Sequence, residues 1–293
     1  MAKGEFQLLE WLKQRVGIVP QVVGMGDDCC VLHPKHDLLV TMDTLVEGVH
    51  FLPDTPPEAI GYKALAVSLS DIAAMGGAPT DLLVSLAMPE ANEDWFKGFA
   101  EGMLGLADMH GVRLVGGDTV QGPWPVPTVL PGEVAEGAAV GRPGAQAGDS
   151  IWVTGELGGA AAALKIRQSM AKDAGSSQAS GLNASSQDAL FWALDYPIVP
   201  VRFAKALPGL ARSAIDISDG LLADLGHILK ASDLGAKINV DAIPCHKDIP
   251  REARLSLACY GGDAYQLCFT AAPRAKPQIQ SLAANHEIKL TCI

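Results

Sequence analysis

Glu58-Ala-Ile-Gly-Tyr-Lys-Ala-Leu-Ala-Val-Ser-Leu-Ser-Asp-Ile-Ala-Ala-Met-Gly-Gly-Ala-Pro-Thr-Asp-Leu-Leu-Val-Ser-Leu-Ala-Met88 joins two apolar segments of different character. Residues 58–75 have helical length and patterning and run into Gly76-Gly77, which predicts a helix ended by those glycines. Leu82 to Met88 is an apolar run, broken only by Ser85 and stopped by Pro89, which predicts a strand. Outward from this pair, Leu38-Leu39-Val40-Thr41 reads as a second buried strand. Asp94 to His110 fits a helix with Phe96, Phe99, Met103, Leu106 and Ala107 on one face, and Val112 to Val115 a further strand. The first half is therefore of α/β or α+β class.

Gly141 to Asp149 is turn chemistry and marks an expected boundary between a domain of residues 1–140 and one of residues 141–293. Beyond it, Ile151 to Thr154 is strand-like, and Gly155 to Gly159 leads into an alanine-rich helix. The polar stretch from Lys172 to Asp188 predicts a mobile surface insertion. Ala214 to Ile217 is a short strand feeding a helix from about Gly220 to Ser232, with Gly235 expected as its C-terminal cap. No repeat of solenoid or propeller period is visible.

The 293 residues include 31 glycines and carry 22 Lys+Arg against 33 Asp+Glu, a net charge of -11. This excess repels a phosphate backbone, so a nucleic-acid partner is not expected. The most apolar stretch, Ala64 to Met88, is interrupted by Asp71 and Asp81, so no membrane span is expected. The opening residues lack an apolar core followed by a small-residue cleavage site, and export is not indicated. None of the six cysteines forms a C-x-x-C pair, which predicts reduced thiols and a cytoplasmic protein. The vicinal Cys29-Cys30 pair reads as buried packing.

Several carboxylates fall where apolar strands give way to glycine-rich turns. They are Asp27 and Asp28 in Gly24-Met-Gly-Asp-Asp, Asp43 after Leu-Leu-Val-Thr-Met, Asp118 in Val-Gly-Gly-Asp-Thr, and Asp216 with Asp219 in Ile-Asp-Ile-Ser-Asp-Gly. Strand ends are where open α/β sheets bind ligands, and hard carboxylate oxygens suit Mg²⁺. Mg²⁺ also reconciles an acidic protein with a nucleotide triphosphate. Taken singly, an aspartate at a strand end is more often a turn or cap. Asp71 differs, because a carboxylate on so apolar a helix needs a partner or a metal. His50 is a candidate substrate contact, whereas Lys63 reads as a snorkelling side chain. Gly155-Glu-Leu-Gly-Gly precedes a helix but matches no phosphate-loop fingerprint.

Together the Gly-Met-Gly-Asp-Asp-Cys segment, Asp43-Thr-Leu-Val-Glu-Gly-Val-His-Phe51, Tyr62 to Gly76, Gly116-Gly-Asp-Thr119 and Ile215-Asp-Ile-Ser-Asp-Gly-Leu-Leu-Ala-Asp-Leu-Gly-His-Ile228 resemble the thiamine-monophosphate kinase family. The likeness runs in order from about residue 4 to 270. The wider superfamily of aminoimidazole ribonucleotide synthetase, selenophosphate synthetase and a hydrogenase maturation protein shares only a looser acidic and glycine pattern.

The resemblance implies transfer of the ATP γ-phosphoryl group to thiamine monophosphate, giving thiamine diphosphate. It implies an N-terminal α/β domain that binds ATP and Mg²⁺ and dimerises through a shared β-barrel, and a C-terminal α/β domain that covers the nucleotide cleft. By the family's motifs Asp28, Asp43, Asp71, Asp118, Asp216 and Asp219 would hold Mg²⁺, with Thr41 near them; Asp43 and Asp216 are the central catalytic candidates. Gly117, Asp118, Arg142 and Ser218 would contact ATP, while His50 and Asp263 would face the thiamine phosphate.

The chain departs from the family pattern in places. Met42 stands where a hydroxyl is usual, Ala264 and Gln266 replace carboxylates, and Val120-Gln121-Gly122 loses a cation. Pro123, Pro125, Pro127 and Pro131 crowd an expected strand, where proline belongs at edges or bulges. The chain stops at Ile293, before the family's C-terminal aromatic motif. These departures define one alternative, an impaired nucleotide-binding paralogue; a second, another ATP-dependent synthetase of the superfamily, is disfavoured by the close match of Asp43 to Phe51.

Overall fold

Alternating helical and strand patterns fold as read over most of their length. The computed structural model describes residues 5–16, 32–90, 92–122, 125–172 and 182–293. In chain order the elements are α1 (Glu5–Val16), β1 (Asp37–Val46), α2 (Pro57–Ala74), β2 (Ala78–Pro79), β3 (Asp81–Met88), α3 (Glu93–His110), β4 (Arg113–Gln121) and β5 (Pro125–Val134). There follow β6 (Ser150–Thr154), α4 (Gly159–Lys172), α5 (Ala184–Asp195), α6 (Val201–Ala204), β7 (Ala211–Ile217), α7 (Leu221–Ala231), α8 (Arg254–Tyr260), β8 (Gln266–Ala271), α9 (Lys276–Asn285) and β9 (Leu290–Cys292). The chain divides into two units, Met1–Ile72 with Gly77–Gly137, and Ala73–Gly76 with Ala138–Ile293.

The first unit carries a mixed sheet in the order β1-β5-β3-β4, with β2 also on β5. β3 and β4 run parallel because α3 crosses over between them, while β5 is antiparallel to both β1 and β3. α2 and α3 approach backbone to backbone: a Cβ on Gly61 would lie 1.9 Å from the Phe99 carbonyl oxygen, and one on Gly102 2.0 Å from that of Glu58. Only glycine permits this approach. It leaves α2 buried along almost all its length, with Leu65, Leu69 and Ile72 in the core beside Phe99 and Met103 of α3.

The prolines do not confine β5 to an edge, as their number suggests; β5 lies between β1 and β3. Pro125, Pro127 and Pro131 share one parity, so the missing N–H groups all fall along one side of the strand. Pairing with β3 is short, Leu83 with Val129 and Val84 with Thr128, and skips every proline.

The second unit is built on an antiparallel sheet in the order β7-β8-β6-β9. α7 packs its Leu221, Leu225 and Ile228 against Val153, Ile215, Ile217 and Cys268. A second cluster joins Ala160 and Ala163 of α4 to Leu190 and Leu194 of α5, and Arg167 of α4 is ion-paired with Asp195 of α5.

Two local expectations are corrected. Residues 184–188 of the supposed insertion open α5, capped by Asn183, whose side chain accepts the Ser186 N–H at 2.9 Å; residues 173–181 lie outside the described residues. α7 closes at Ser232 rather than at Gly235. Asp233 takes the left-handed conformation (φ 53°) that glycine was expected to supply, a role aspartate tolerates.

Candidate functional site

In the first unit the alternation of β1 turns Thr41 and Asp43 toward α2, which presents Ser68 and Asp71 one helical turn apart. Thr41 Oγ1 donates to Asp71 Oδ2. Ser68 Oγ donates to Asp43 Oδ2 at 3.2 Å and lies 2.9 Å from Thr128 Oγ1 on β5. Burial pushes the Asp43 carboxyl up to about 6, helped by repulsion from the Asp71 carboxylate and a hydrogen bond to it, and opposed by the Ser68 hydroxyl. Two carboxylates crowded together and surrounded by hydroxyls form an all-oxygen donor set short of positive charge. That chemistry fits a hard divalent cation such as Mg²⁺.

Met42 is not part of this set. It is 65% exposed, on the face of β1 opposite Thr41 and Asp43, because successive strand residues point to opposite sides. Reading Met42 as a hydroxyl lost beside the metal is therefore corrected.

Asp118 is exposed on β4, opposite Ser85 of β3, and its Oδ1 accepts the Thr119 N–H at 2.9 Å. Gly117 precedes it where a Cβ would meet the Val84 carbonyl oxygen at 2.0 Å. His50 sits in a tight turn whose Val49 and His50 N–H groups both donate to the Val46 carbonyl, at 3.1 and 2.9 Å. The Val46 N–H in turn donates to His50 Nδ1 at 3.0 Å. Lys63 does not snorkel to the surface; it is 3% exposed and donates from Nζ to the His50 carbonyl at 3.1 Å, tying this turn to α2.

In the second unit Asp216 is buried on β7 opposite Leu267 of β8, and Ser218 and Asp219 continue from the strand end. The loop before β8 clasps this end. Asp263 N–H donates to the Ser218 carbonyl at 2.9 Å, Tyr265 N–H to that of Ile217 at 2.8 Å, and Tyr265 Oη to Asp263 Oδ1 at 2.8 Å. Asp263 and Tyr265 both hold positive φ, 62° and 49°, a strained arrangement of the kind that clusters at working sites. Asp224 is buried on α7 and accepts the N–H groups of Asp219 and Gly220 at 3.1 and 3.0 Å, with burial raising its pKa. Arg142 is exposed and follows Gly141, whose carbonyl accepts the Ala214 N–H of β7 at 3.0 Å.

The candidate residues are thus shared out: Thr41, Asp43, His50, Asp71, Gly117 and Asp118 belong to the first unit, Arg142, Asp216, Ser218, Asp219 and Asp263 to the second. Among the described residues no group of three or more His, Cys, Asp or Glu gathers as a metal cage. Asp27, Asp28, Cys29 and Cys30 lie outside the described residues. Of the other cysteines, Cys245, Cys259, Cys268 and Cys292 are free thiols, and burial pushes Cys268 up to about 12, which makes it inert. No helix among the described residues is long and apolar enough to cross a membrane.

Sequence reasoning passed over Ser68, Thr128, Tyr265 and Asp224. Ser68 was legible as the residue three before Asp71 on the same helix. Thr128 and Asp224 act through contacts that no local pattern announces.

Residues 26–139 match the family described as AIR synthase related protein, N-terminal domain, and residues 146–291 its C-terminal domain. The thiamine-monophosphate kinase of Escherichia coli K12 is 39% identical over 301 residues, spanning 100% of this chain and 90% of that one. The chain belongs to the thiamine-monophosphate kinase family. The crystal structure of the Stenotrophomonas maltophilia K279a kinase of this family superposes with a TM-score of 0.89 at 39% identity, covering 100% of this chain and 94% of that one. The structure of AaThiL complexed with AMPPCP and TMP superposes with a TM-score of 0.77 at 30% identity, covering 99% and 89%. The two-domain α/β architecture is thus that of the kinase family.

Proposed function

We infer that this protein transfers the γ-phosphoryl group of ATP to thiamine monophosphate, giving thiamine diphosphate. The crowded Asp43–Asp71 pair, in a chain 39% identical to a thiamine-monophosphate kinase over its whole length, is the observation that supports this reading most directly. AaThiL, solved with an ATP analogue and TMP, supplies the substrate pair by analogy.

Phosphoryl transfer depends chiefly on alignment and on neutralising charge. A phosphate acceptor is already anionic near neutral pH, its second pKa being about 6, so no strong general base is required. Asp43 and Asp71, with Asp28, Asp118, Asp216 and Asp219, would hold Mg²⁺, and Thr41 and Ser68 fix the two central carboxylates by hydrogen bonds. Bound Mg²⁺ supplies charge neutralisation and a template for the phosphates. Gly117, Asp118, Arg142 and Ser218 contact ATP, Gly117 and Ser218 by offering backbone close to the ligand. His50 and Asp263 face the thiamine phosphate, His50 on a turn held by Lys63 and Asp263 on a loop held by Ser218 and Tyr265.

The protein also pairs with a second copy of itself through β1. That strand ends the sheet, and its outward face is apolar, with Leu38 45% and Val40 60% exposed beside Met42. This face accounts for Met42 and removes one of the grounds for an impaired paralogue.

Incubation with ATP, Mg²⁺ and thiamine monophosphate, followed by chromatography, tests the reading. Thiamine diphosphate above the level given by the Asp43→Asn protein is expected; equal product from the two would overturn the site assignment, and none from either would overturn the activity.

A further inference from the structure

Asp43 of β1 stands directly opposite Thr128 of β5, and the side chains of such an antiparallel pair share one face of the sheet. Thr128 therefore points with Asp43 toward α2, where it is 1% exposed and lies beside Ser68, which is fully buried. Three contacts run inward from the acidic pair: Ser68 Oγ to Asp43 Oδ2 at 3.2 Å, Ser68 Oγ to Thr128 Oγ1 at 2.9 Å, and Thr128 Oγ1 to the Ala64 carbonyl at 3.1 Å. An ionised carboxylate and a carbonyl can only accept. The two hydroxyls thus have two hydrogens for three contacts.

The partners decide which contact goes without. Ala64 lies four residues before Ser68 on α2, so its carbonyl is already the acceptor for the Ser68 N–H in the helix ladder. Ionised Asp43 is the stronger acceptor, because hydrogen bonds to a charged group are roughly twice as strong as neutral ones. The hydrogens then run outward, from Thr128 to Ser68 and from Ser68 to Asp43. A serine inside a helix has a competing choice, the carbonyl four residues back, which here is that of Ala64. Thr128 Oγ1 sits against that carbonyl and at the same time meets the Ser68 hydroxyl.

We propose that Thr128 is a positioning residue of the cation site: acting through Ser68, it denies that hydroxyl its own helix carbonyl and keeps its hydrogen on Asp43, so that the carboxylate holds its ligating orientation. The proposal deepens the kinase reading and rests on it for the cation that Asp43 holds. Groups that brace a metal ligand from behind typically carry about 10–100-fold in metal affinity.

Mn²⁺, a hard ion that takes the same oxygen donors as Mg²⁺, is titrated into the whole chain after metal removal and followed by its electron-spin signal. Thr128→Val keeps the shape and removes the hydroxyl, whereas Thr128→Ser keeps the hydroxyl and removes a methyl. Mn²⁺ affinity should fall about tenfold in Thr128→Val and in Ser68→Ala, and stay within about twofold of wild type in Thr128→Ser. Thr128→Ala, a second variant without the hydroxyl, should match Thr128→Val. Combining Ser68→Ala with Thr128→Val should still cost about tenfold rather than a hundredfold, because both changes take the same hydrogen from Asp43. Melting temperatures in EDTA separate this from packing. Thr128→Val with a lowered melting temperature and wild-type Mn²⁺ affinity overturns the proposal, as do equal losses in Thr128→Ser and Thr128→Val, multiplied losses in the double variant, or a wild type that binds no Mn²⁺. The two readings fail separately. Wild-type turnover with Mn²⁺ binding indifferent to Thr128 sinks the positioning role and spares the kinase, and Thr128-dependent Mn²⁺ binding without turnover does the reverse.

Discussion

Asp43 on β1 and Asp71 on α2 hold their carboxyl groups within hydrogen-bonding reach of each other, each braced by a hydroxyl, Ser68 for the first and Thr41 for the second. Such a pair costs stability when no cation lies between its members. The folded Asp43 pKa of about 6 stands above its ordinary value of 3.8. Its stabilising contribution is therefore complete below 3.8 and is lost as pH rises through 6. Asp43→Asn removes that pH-dependent loss. In EDTA, the variant should melt a few degrees above the wild type at pH 8 and at nearly the same temperature at pH 4. Its turnover should fall at least about a hundredfold, as a group required for charge neutralisation demands. Thermal scans at both pH values, with a product assay, check this; a variant less stable than wild type at pH 8 contradicts it.

Tyr265 donates from Oη to Asp263 Oδ1 at 2.8 Å and so fixes the rotamer of a carboxylate assigned to the acceptor. Tyr265→Phe keeps the ring and deletes that bond. Because the bond orients a binding group rather than a reacting atom, KM for thiamine monophosphate should rise about threefold to tenfold while kcat changes little. Steady-state kinetics decides; a fall in kcat with unchanged KM would place Asp263 in the chemistry instead.

The fold was legible because α2 and β3 are strongly apolar segments of different length, the first long enough for five helical turns and the second of strand length and ended by a proline. The acidic site was legible because Asp71 is anomalous on such a helix, and its explanation, Thr41 and Asp43 across the gap, lay in residues already singled out. What stayed hidden depended on side, not on composition. The family pattern marks Met42 as a lost hydroxyl, but the alternation of β1 turns it away from Thr41 and Asp43 to the exposed face. The number of prolines in β5 argues for an edge, whereas their shared parity puts the missing donors of Pro125, Pro127 and Pro131 on one side of the strand. Nothing local to Lys63 shows that its partner is the His50 carbonyl, thirteen residues away, so sequence alone favours a surface stem.

Met42 then bears on assembly. Met42→Thr should leave kcat within about twofold of wild type, since the side chain faces away from the acidic pair. Met42→Lys places a charge in an apolar face formed with Leu38 and Val40 and should shift the protein toward monomer. Light scattering on a sizing column reads the second effect. A Met42→Lys protein of unchanged mass, or a wild type that is already monomeric, would remove β1 from the interface.

Gln266 gives the sharpest contrast between a sequence pattern and its physical setting. Against the family it is a lost carboxylate, and restoring Glu would seem to repair the chain. Here its amide nitrogen donates to the Ile198 carbonyl while its oxygen accepts from Thr154. A carboxylate can still accept from Thr154, but it has no hydrogen for Ile198 and sets negative charge against a carbonyl oxygen. Gln266→Glu should therefore cost about 1–3 kcal/mol, the penalty of one unmade and one repulsive contact. It should also loosen the 197–200 segment. Hydrogen exchange at residues 197–200 and a denaturant titration measure both effects. If Gln266→Glu proves as stable as wild type and turns over faster, the amide replaces a carboxylate that turnover needs, and the impaired-paralogue reading regains its footing.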